Sequence, residues 1–366
     1  MVTKISSRAP TRVDLAGGTV DVWPLYLFLK NPITLNLGID LFAEAEIEVT
    51  PASAGGSHFT LASEDQSKEL KFDWPTLLKE PSAQNIPPAL ELHWKLLYYF
   101  AHEKLSADHQ AFDFNLKLST RAKSPAGAGL GGSSALSIAI VGALATWAHD
   151  RVIDPETEGE KFIQIVRDVE TTVIKVPAGI QDYYGAMFGG LQVLHWGFGS
   201  HRREWLSDST LAELDKRLIL FYSGQSRNSG INNWVLFKGF IDNQEGVREK
   251  FAEIAKASEA LDIALRAQDW KASGEAIAAE WSTRKTLAPG ISTPEINAAF
   301  EEAARVAPVS GKICGAGGGG CFFIYLPSAD PAHRSEIISK LGILSGIRHL
   351  PFTSSRRGVN VQVSRA

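Results

Sequence analysis

Cysteine is nearly missing: Cys314 and Cys321 are the two in a chain of 366 residues. Two thiols make neither a disulfide framework nor a four-ligand zinc pattern, and they fit a reducing cytosol. A cysteine nucleophile stays open beside the plainer reading, two buried thiols packed as small apolar groups next to a glycine run. The nine histidines are scattered without an H-x-x-x-H pair, which argues against a zinc site built by the protein. No block of Lys and Arg stands out and the formal net charge is -4, so neither nucleic acid nor an acidic membrane is an expected partner. Long apolar runs are lacking as well. The start, MVTKISSRAPTRVDLAGG, has no apolar core of a signal peptide, and the longest apolar stretch, 135–148, is shorter than a bilayer span and contains Ser137. These absences leave a cytoplasmic protein, monomer or homodimer, whose chemistry concerns a small molecule.

What is present is ordinary globular material. With 44% hydrophobic and 21% charged residues, the chain can bury a full core and is expected to form two domains. Period-two alternation predicts strands at 33–40, 41–50 and 112–118, with helices near 88–102 and 133–148 and a buried strand at 191–196. Past the polar stretch 197–209 the pattern changes: a strand at 216–222, several Ala- and Glu-rich helices over 232–307, two short strands flanking GAGGGG, then a last helix and strand. The expected domains are therefore 1–200 and 201–366.

The loop SPAGAGLGGSSA, 124–135, matches the dinucleotide pattern G-x-G-x-x-G through Gly127, Gly129 and Gly132. A dinucleotide site needs a strand running into the loop and a second strand ending in an acidic residue about 20 positions on. Here RAKSPA precedes the loop, too polar and Pro-broken for that strand, and SIAIVGALATWAH before Asp150 reads as one helix. The second glycine run, GAGGGG, lies between the strand-like KIC and CFFIYL with no helix. A Walker A loop is excluded because no Lys precedes Ser133 or Ser134. The physics of the loop survives these eliminations. Glycines let backbone N–H groups approach an anion closely, and a helix starting near Ser133 points its positive end at the same place, so phosphate is the natural guest. One of the two serines can cap the helix while the other reaches a magnesium ion.

Three separated segments, RAPTRVDLAGG, SPAGAGLGGSSA and KICGAGGGGCFF, together resemble the three motifs of the GHMP kinases, in order and across residues 8 to 323. The resemblance implies an α+β fold with an N-terminal domain like ribosomal protein S5 domain 2 and a ferredoxin-like C-terminal domain, ATP and acceptor binding between them. It implies that Pro125, Gly127, Gly129, Leu130, Gly131, Gly132, Ser133 and Ser134 wrap the ATP phosphates, with Gly317 of the third motif. It further implies that Ser134 and Glu170 hold Mg²⁺. Glu170 and Asp182 stand twelve residues apart in RDVETTVIKVPAGIQDYYGAMFGG, as a metal carboxylate and a catalytic Asp do in the family. Phosphoryl transfer asks chiefly for positioning and charge neutralisation, which suits such a pair. Arg12 takes the place of the basic residue beside that Asp, where a fixed guanidinium would favour the carboxylate and stabilise charge on the transferred group.

The acceptor is read from the same segments. Asp21 matches the Asp that grips acceptor hydroxyls, with Gly18 and Thr19 standing where galactokinase carries a Glu-His pair. The AGG of the first motif, GIQDYYGAMFGG and YSGQSRNSG are more similar to the D-glycero-D-manno-heptose 7-phosphate kinase branch, which phosphorylates the anomeric hydroxyl. Val20, Ile180 and Tyr183 depart from that branch's pattern. Arg227, beside Ser226 and Ser229, suits a phosphate on the acceptor; Gly318 would line the acceptor site, and Trp23 and Tyr183 could stack on a sugar face. The expected activity is an ATP-dependent sugar or sugar-phosphate kinase. Mevalonate or phosphomevalonate kinase, or the related decarboxylase, is the alternative within the family, and an inactive ligand-binding regulator the alternative outside it.

Overall fold

The computed structural model describes residues 2–52, 57–79, 85–108, 113–199, 201–226 and 229–365. Its first sheet has eight strands: β1 (Thr3–Ala16), β2 (Ile33–Pro51), β3 (His58–Ser63), β4 (Lys68–Asp73), β5 (Phe114–Ala122), β6 (Leu191–His195), β7 (Arg202–Trp205) and, from far along the chain, β12 (Asn360–Arg365). The order is β12-β1-β2-β5-β3-β4, with β6 paired to the other half of β2 and β7 outside it. The second sheet is antiparallel, ordered β11-β8-β10-β9, from β8 (Leu218–Tyr222), β9 (Ser310–Ile313), β10 (Cys321–Tyr325) and β11 (Arg348–His349).

Helices α1 (Trp74–Leu77), α2 (Glu91–Asp108), α3 (Gly132–His149), α4 (Pro155–Ile174) and α5 (Gln181–Phe188) belong to the first half. In the second half follow α6 (Asp208–Arg217), α7 (Ser229–Ile241), α8 (Val247–Arg266), α9 (Trp270–Arg284), α10 (Pro294–Ala304) and α11 (Pro331–Gly342). By length and composition α3 could cross a bilayer, yet it is packed among α2, α4, α5 and strands β1 and β2 as the central core helix. Apolar on every side, it has no solvent face to offer. Beside it, α4 is one-sided: Asp154 caps it, Pro155 occupies its first turn, and Gly159, Phe162, Ile163, Val166 and Glu170 form its buried stripe. Each of the large apolar members of that stripe contributes about 2 kcal/mol by leaving water. Glu170 takes the next place in the same stripe, where an apolar side chain would be the ordinary choice.

The structure differs from the sequence reading in three instructive places. The strands expected at 33–40 and 41–50 are one strand of 19 residues. The boundary expected at 40/41 survives as an irregularity within it: pairing with β1 passes from Ala9/Ala43 to Thr11/Ile39, so that three residues of β2 stand opposite Pro10, which has no N–H for the ladder. Within the polar stretch 197–209 lies β7, an edge strand whose exposed side chains hide its pairing. Finally, β7 and β12, both assigned by sequence to the second domain, hydrogen-bond into the first sheet. The division near residue 200 is kept here as a proposal, with those two strands reaching back across it.

Candidate active site

The first half of β1 buries one face and its second half buries both, which places polar side chains of the second half inside the protein. Arg12 and Asp14, two residues apart, point the same way from it. Nε and Nη2 of Arg12 donate to Asp182 Oδ1 at 2.8 and 2.6 Å, while Nη1 donates to the carbonyls of Gly129 at 2.7 Å and Cys314 at 3.0 Å. Its backbone N–H donates to the Leu130 carbonyl at 3.0 Å. One side chain thus ties together all three glycine-bearing motifs and α5. Four of the five guanidinium N–H donors are taken by these bonds, so Arg12 serves first to fix Asp182. Burial alone would lower its pKa; Asp182 and Asp14 more than offset that and hold the cation.

Asp182 sits in the first turn of α5, where the helix dipole favours a carboxylate. Its side chain is 25% exposed against 5% for Arg12, so it opens to solvent from a buried support. The loop 124–131 faces it. Gly131, with φ +69°, is the N-cap of α3, and a Cβ there would stand 3.2 Å from the Asp182 side chain. Neither Ser133 nor Ser134 caps that helix, contrary to one expectation. The carbonyls of Ala128, Gly129 and Leu130 are engaged by Cys321, Arg12 Nη1 and the Arg12 backbone. The first N–H groups of α3 have no intrahelical partner by construction, and no side chain supplies one. Carbonyls turned inward and N–H groups left over make the entrance of α3 a place for an anion.

Glu170 reaches this entrance from the buried stripe of α4. Its Oε1 accepts from Ser133 Oγ at 2.7 Å and its Oε2 from Tyr183 Oη at 2.6 Å. Two expectations are corrected here. Ser133 is the serine whose hydroxyl bonds Glu170 directly; Ser134, 7% exposed, stands behind it with its hydroxyl against that of Tyr183. Tyr183 is no stacking platform: it is 1% exposed and spends its hydroxyl on Glu170, one helix position from Asp182 but facing inward. Burial raises the Glu170 pKa, with the bonds from Tyr183 and Ser133 pulling the other way.

The acceptor candidates of the first motif lie together. Asp21 is buried, and its Oδ2 accepts from the Gln181 backbone N–H at 3.0 Å, while Oδ1 has no hydrogen-bond partner. Burial pushes its pKa up to about 6 despite the Gln181 bond. Gly18 and Thr19 form the turn before it, Thr19 with φ +70°, and Trp23 nearby is 65% exposed. The third motif supports the loop 124–131 from behind. Cys321 donates to the Ala128 carbonyl, Gly320 donates to Gln225, and a Cβ on Gly320 (φ +80°) would stand 2.8 Å from that same Ala128 oxygen. Gly318 spends its N–H on Ile291 at 2.9 Å, which takes that donor away from the acceptor role expected of it; Gly317 lies tight against the Ile291 backbone. Cys314 and Cys321 are buried and form no disulfide. Arg227 lies outside the described residues; its neighbour Ser226 donates to the Ala126 carbonyl of the loop.

Four buried charges escaped the sequence reading. Lys312 Nζ donates to Asp14 Oδ2 at 2.9 Å and lies 3.7 Å from Glu280, and Arg284 pairs with Glu280 at 2.6 Å. Burial would raise the Asp14 pKa, but Lys312, Arg284 and Arg12 win and hold it below the ordinary value. Lys312 in the strand SGKI, with every neighbour buried, is the signal that could have revealed them.

The chain matches the models of the GHMP kinases N terminal domain over residues 92–190 and of the GHMP kinases C terminal domain over 261–343. It is 23% identical to the D-glycero-alpha-D-manno-heptose 7-phosphate kinase of Campylobacter jejuni, covering 92% of this chain and 93% of that one. It is 26% identical to the L-fucokinase/L-fucose-1-P guanylyltransferase of Bacteroides fragilis, over 98% of this chain and 38% of that longer protein. Among solved structures it is similar to a D-glycero-D-manno-heptose 1-phosphate kinase from Bacteroides thetaiotaomicron, with TM-score 0.71, 18% identity and 98% of each chain covered.

Proposed function

This chain belongs to the GHMP kinases, phosphotransferases that use ATP as donor and an alcohol group as acceptor, and we propose that its acceptor is a sugar or sugar phosphate of the heptose 7-phosphate kind, phosphorylated at the anomeric hydroxyl. The observation that carries this reading is a pair of neighbouring carboxylates, Asp182 held by Arg12 and partly exposed, and Asp21 with a buried, unpartnered Oδ1. A polyhydroxylated substrate supplies what both lack. One hydroxyl would donate to Asp21, and its neighbour would face Asp182 Oδ2. The two relatives whose names specify heptose phosphate and fucose support a sugar acceptor.

The reaction then asks four things of this chain. The N–H groups at the entrance of α3 bind the phosphates and turn the γ-phosphoryl toward α5. Asp182 orients the attacking hydroxyl and takes its proton as the new P–O bond forms and the bond to the ADP oxygen breaks. Arg12 keeps Asp182 in place for the transfer. Glu170 and Ser133 offer only hard oxygen donors, a set that fits Mg²⁺ with phosphate oxygens and waters completing its shell. Bound there, the ion would neutralise charge on the phosphates. A divalent cation would also overcome the burial that disfavours ionised Glu170.

ADP release measured over heptose 7-phosphate, fucose, mannose, uronic acids, inositol and mevalonate derivatives tests the reading, with ³¹P NMR to locate the phosphate. Heptose 7-phosphate or a free hexose should turn over, with phosphate on C1. Turnover confined to mevalonate derivatives would replace the reading with the isoprenoid alternative, and ATP binding without turnover would favour a regulator.

A further inference from the structure

A buried chain of alternating charge runs from Asp182 into the second half of the protein. Asp182 pairs with Arg12, and Arg12 lies in the field of Asp14. Asp14 pairs with Lys312, Lys312 approaches Glu280, and Glu280 pairs with Arg284. From Asp14 onward each side chain is at most 2% exposed. Singly, such charges are very costly to bury; in strict alternation each has a compensating neighbour.

The far end of this chain also holds backbone. Arg284 Nη2 donates to the Gly18 carbonyl at 2.7 Å, and Glu280 Oε1 accepts a long bond of 3.4 Å from the Gly17 N–H. Both contacts fall in the turn that delivers Asp21. That turn is strained. Gly17 has φ +84° and Thr19, a β-branched residue, has φ +70°, a region such residues avoid unless their surroundings impose it. Gly18 admits no side chain, since a Cβ would stand 2.2 Å from Asp14 Oδ2. Thr34 Oγ1 adds one more bond, to the Gly17 carbonyl at 2.9 Å.

We propose that Glu280 and Arg284, one turn apart on α9, are positioning residues that set acceptor affinity by holding turn 17–21 in its strained form. Their bonds reach the acceptor side and leave the phosphate loop alone. The link to affinity rests on the reading of Asp21 as an acceptor ligand; the hold on the turn does not. Lysine cannot replace Arg284 fully, because one ammonium cannot keep the fork that spans Glu280 and Gly18.

The test uses the full chain as R284M, R284K and E280Q, with two readouts. In R284M, amide hydrogen exchange of peptides covering 17–21 should rise about tenfold or more while peptides covering 125–134 stay as in the parent. The acceptor KM should rise by about tenfold, with ATP KM within about twofold. R284K should fall between parent and R284M, and E280Q should follow R284M more mildly. A folded variant whose turn exchanges like the parent's overturns the proposal. So does a parallel rise of both KM values, which would make the cluster a general scaffold. Where R284M does not fold, R284K and E280Q decide on the same readouts. If the parent phosphorylates nothing in the panel, the functional reading fails alone, and exchange still decides whether α9 holds the turn.

Discussion

Arg12 and Asp182, 170 residues apart, meet with both guanidinium bonds on one carboxylate oxygen, Oδ1. Among the described residues, Oδ2 carries no protein hydrogen bond, so the pair is locked on one side and open on the other. D182N keeps the shape and removes the charge. It should lower kcat by about 1000-fold, the range of a lost general base, while ATP affinity measured by titration stays within a few-fold. Activity near the parent's would remove Asp182 from the reaction.

The two serines at the entrance of α3 should separate cleanly. S133A removes the hydroxyl that Glu170 accepts from and should raise the Mg²⁺ concentration for half-maximal rate about tenfold. S134A removes a hydroxyl that meets Tyr183 and not Glu170 itself, and should leave that concentration within about twofold. A Mg²⁺ titration of both variants at saturating ATP checks this; the reverse order would restore the expectation read from sequence.

Two buried groups titrate with opposite signs. Asp21, raised from 3.8 to about 6, keeps its proton in the folded state where the unfolded state has lost it, so its contribution falls as pH rises from 4 to 6. His93, lowered from 6.5 to about 4 by burial beside Thr120, lacks a proton the unfolded state holds, so its contribution rises with pH over 4 to 6.5. Each effect amounts to about 3 kcal/mol across its window, and in the parent they nearly cancel. D21N should expose the His93 slope and gain stability as pH rises; H93Q should expose the Asp21 slope and lose it. Urea midpoints at pH 4, 5, 6 and 7 measure both, and matching profiles in the two variants would disprove the assignment. At pH 7 D21N should also be more stable than the parent while binding acceptor worse, the usual cost of a functional carboxylate.

Gly320 offers a test of the third motif at a distance from the nucleotide. G320A places a Cβ against the Ala128 carbonyl in a left-handed conformation and should cost about 1 to 3 kcal/mol. Because Ala128 belongs to the phosphate loop, ATP affinity should drop as well. Thermal unfolding with and without ATP separates the two losses, and an unchanged ATP-induced shift would mean the loop tolerates the push.

The motifs were legible because glycine and serine patterns carry their own physics: a loop that bares N–H groups must be rich in residues without Cβ. The helix over 133–148 was legible from its length of apolar sequence. Which serine faces Glu170 was not, since that depends on the rotation of α3 about its axis, fixed by packing against α4 and α5. Tyr183 misled for a similar reason, being next to Asp182 in sequence but about 100° round the helix from it, on the inward side. The cluster of Lys312, Glu280, Arg284 and Asp14 was hidden because charged residues in strands and helices look like solvent-facing ones until both partners are known. Only Lys312, between the buried Gly311 and Ile313 in a short strand, hinted otherwise.

The pairing of β12 with β1 orders events in time. During synthesis β1, with Arg12 on it, leaves the ribosome some 350 residues before the strand that covers its outer edge, residues 360–365. At elongation rates of about 5 to 20 residues per second, that edge waits roughly 20 seconds or more with unpaired N–H and C=O groups. Its outer positions carry Lys4, Ser6 and Arg8, side chains that discourage a stray strand from adding there before the proper one arrives.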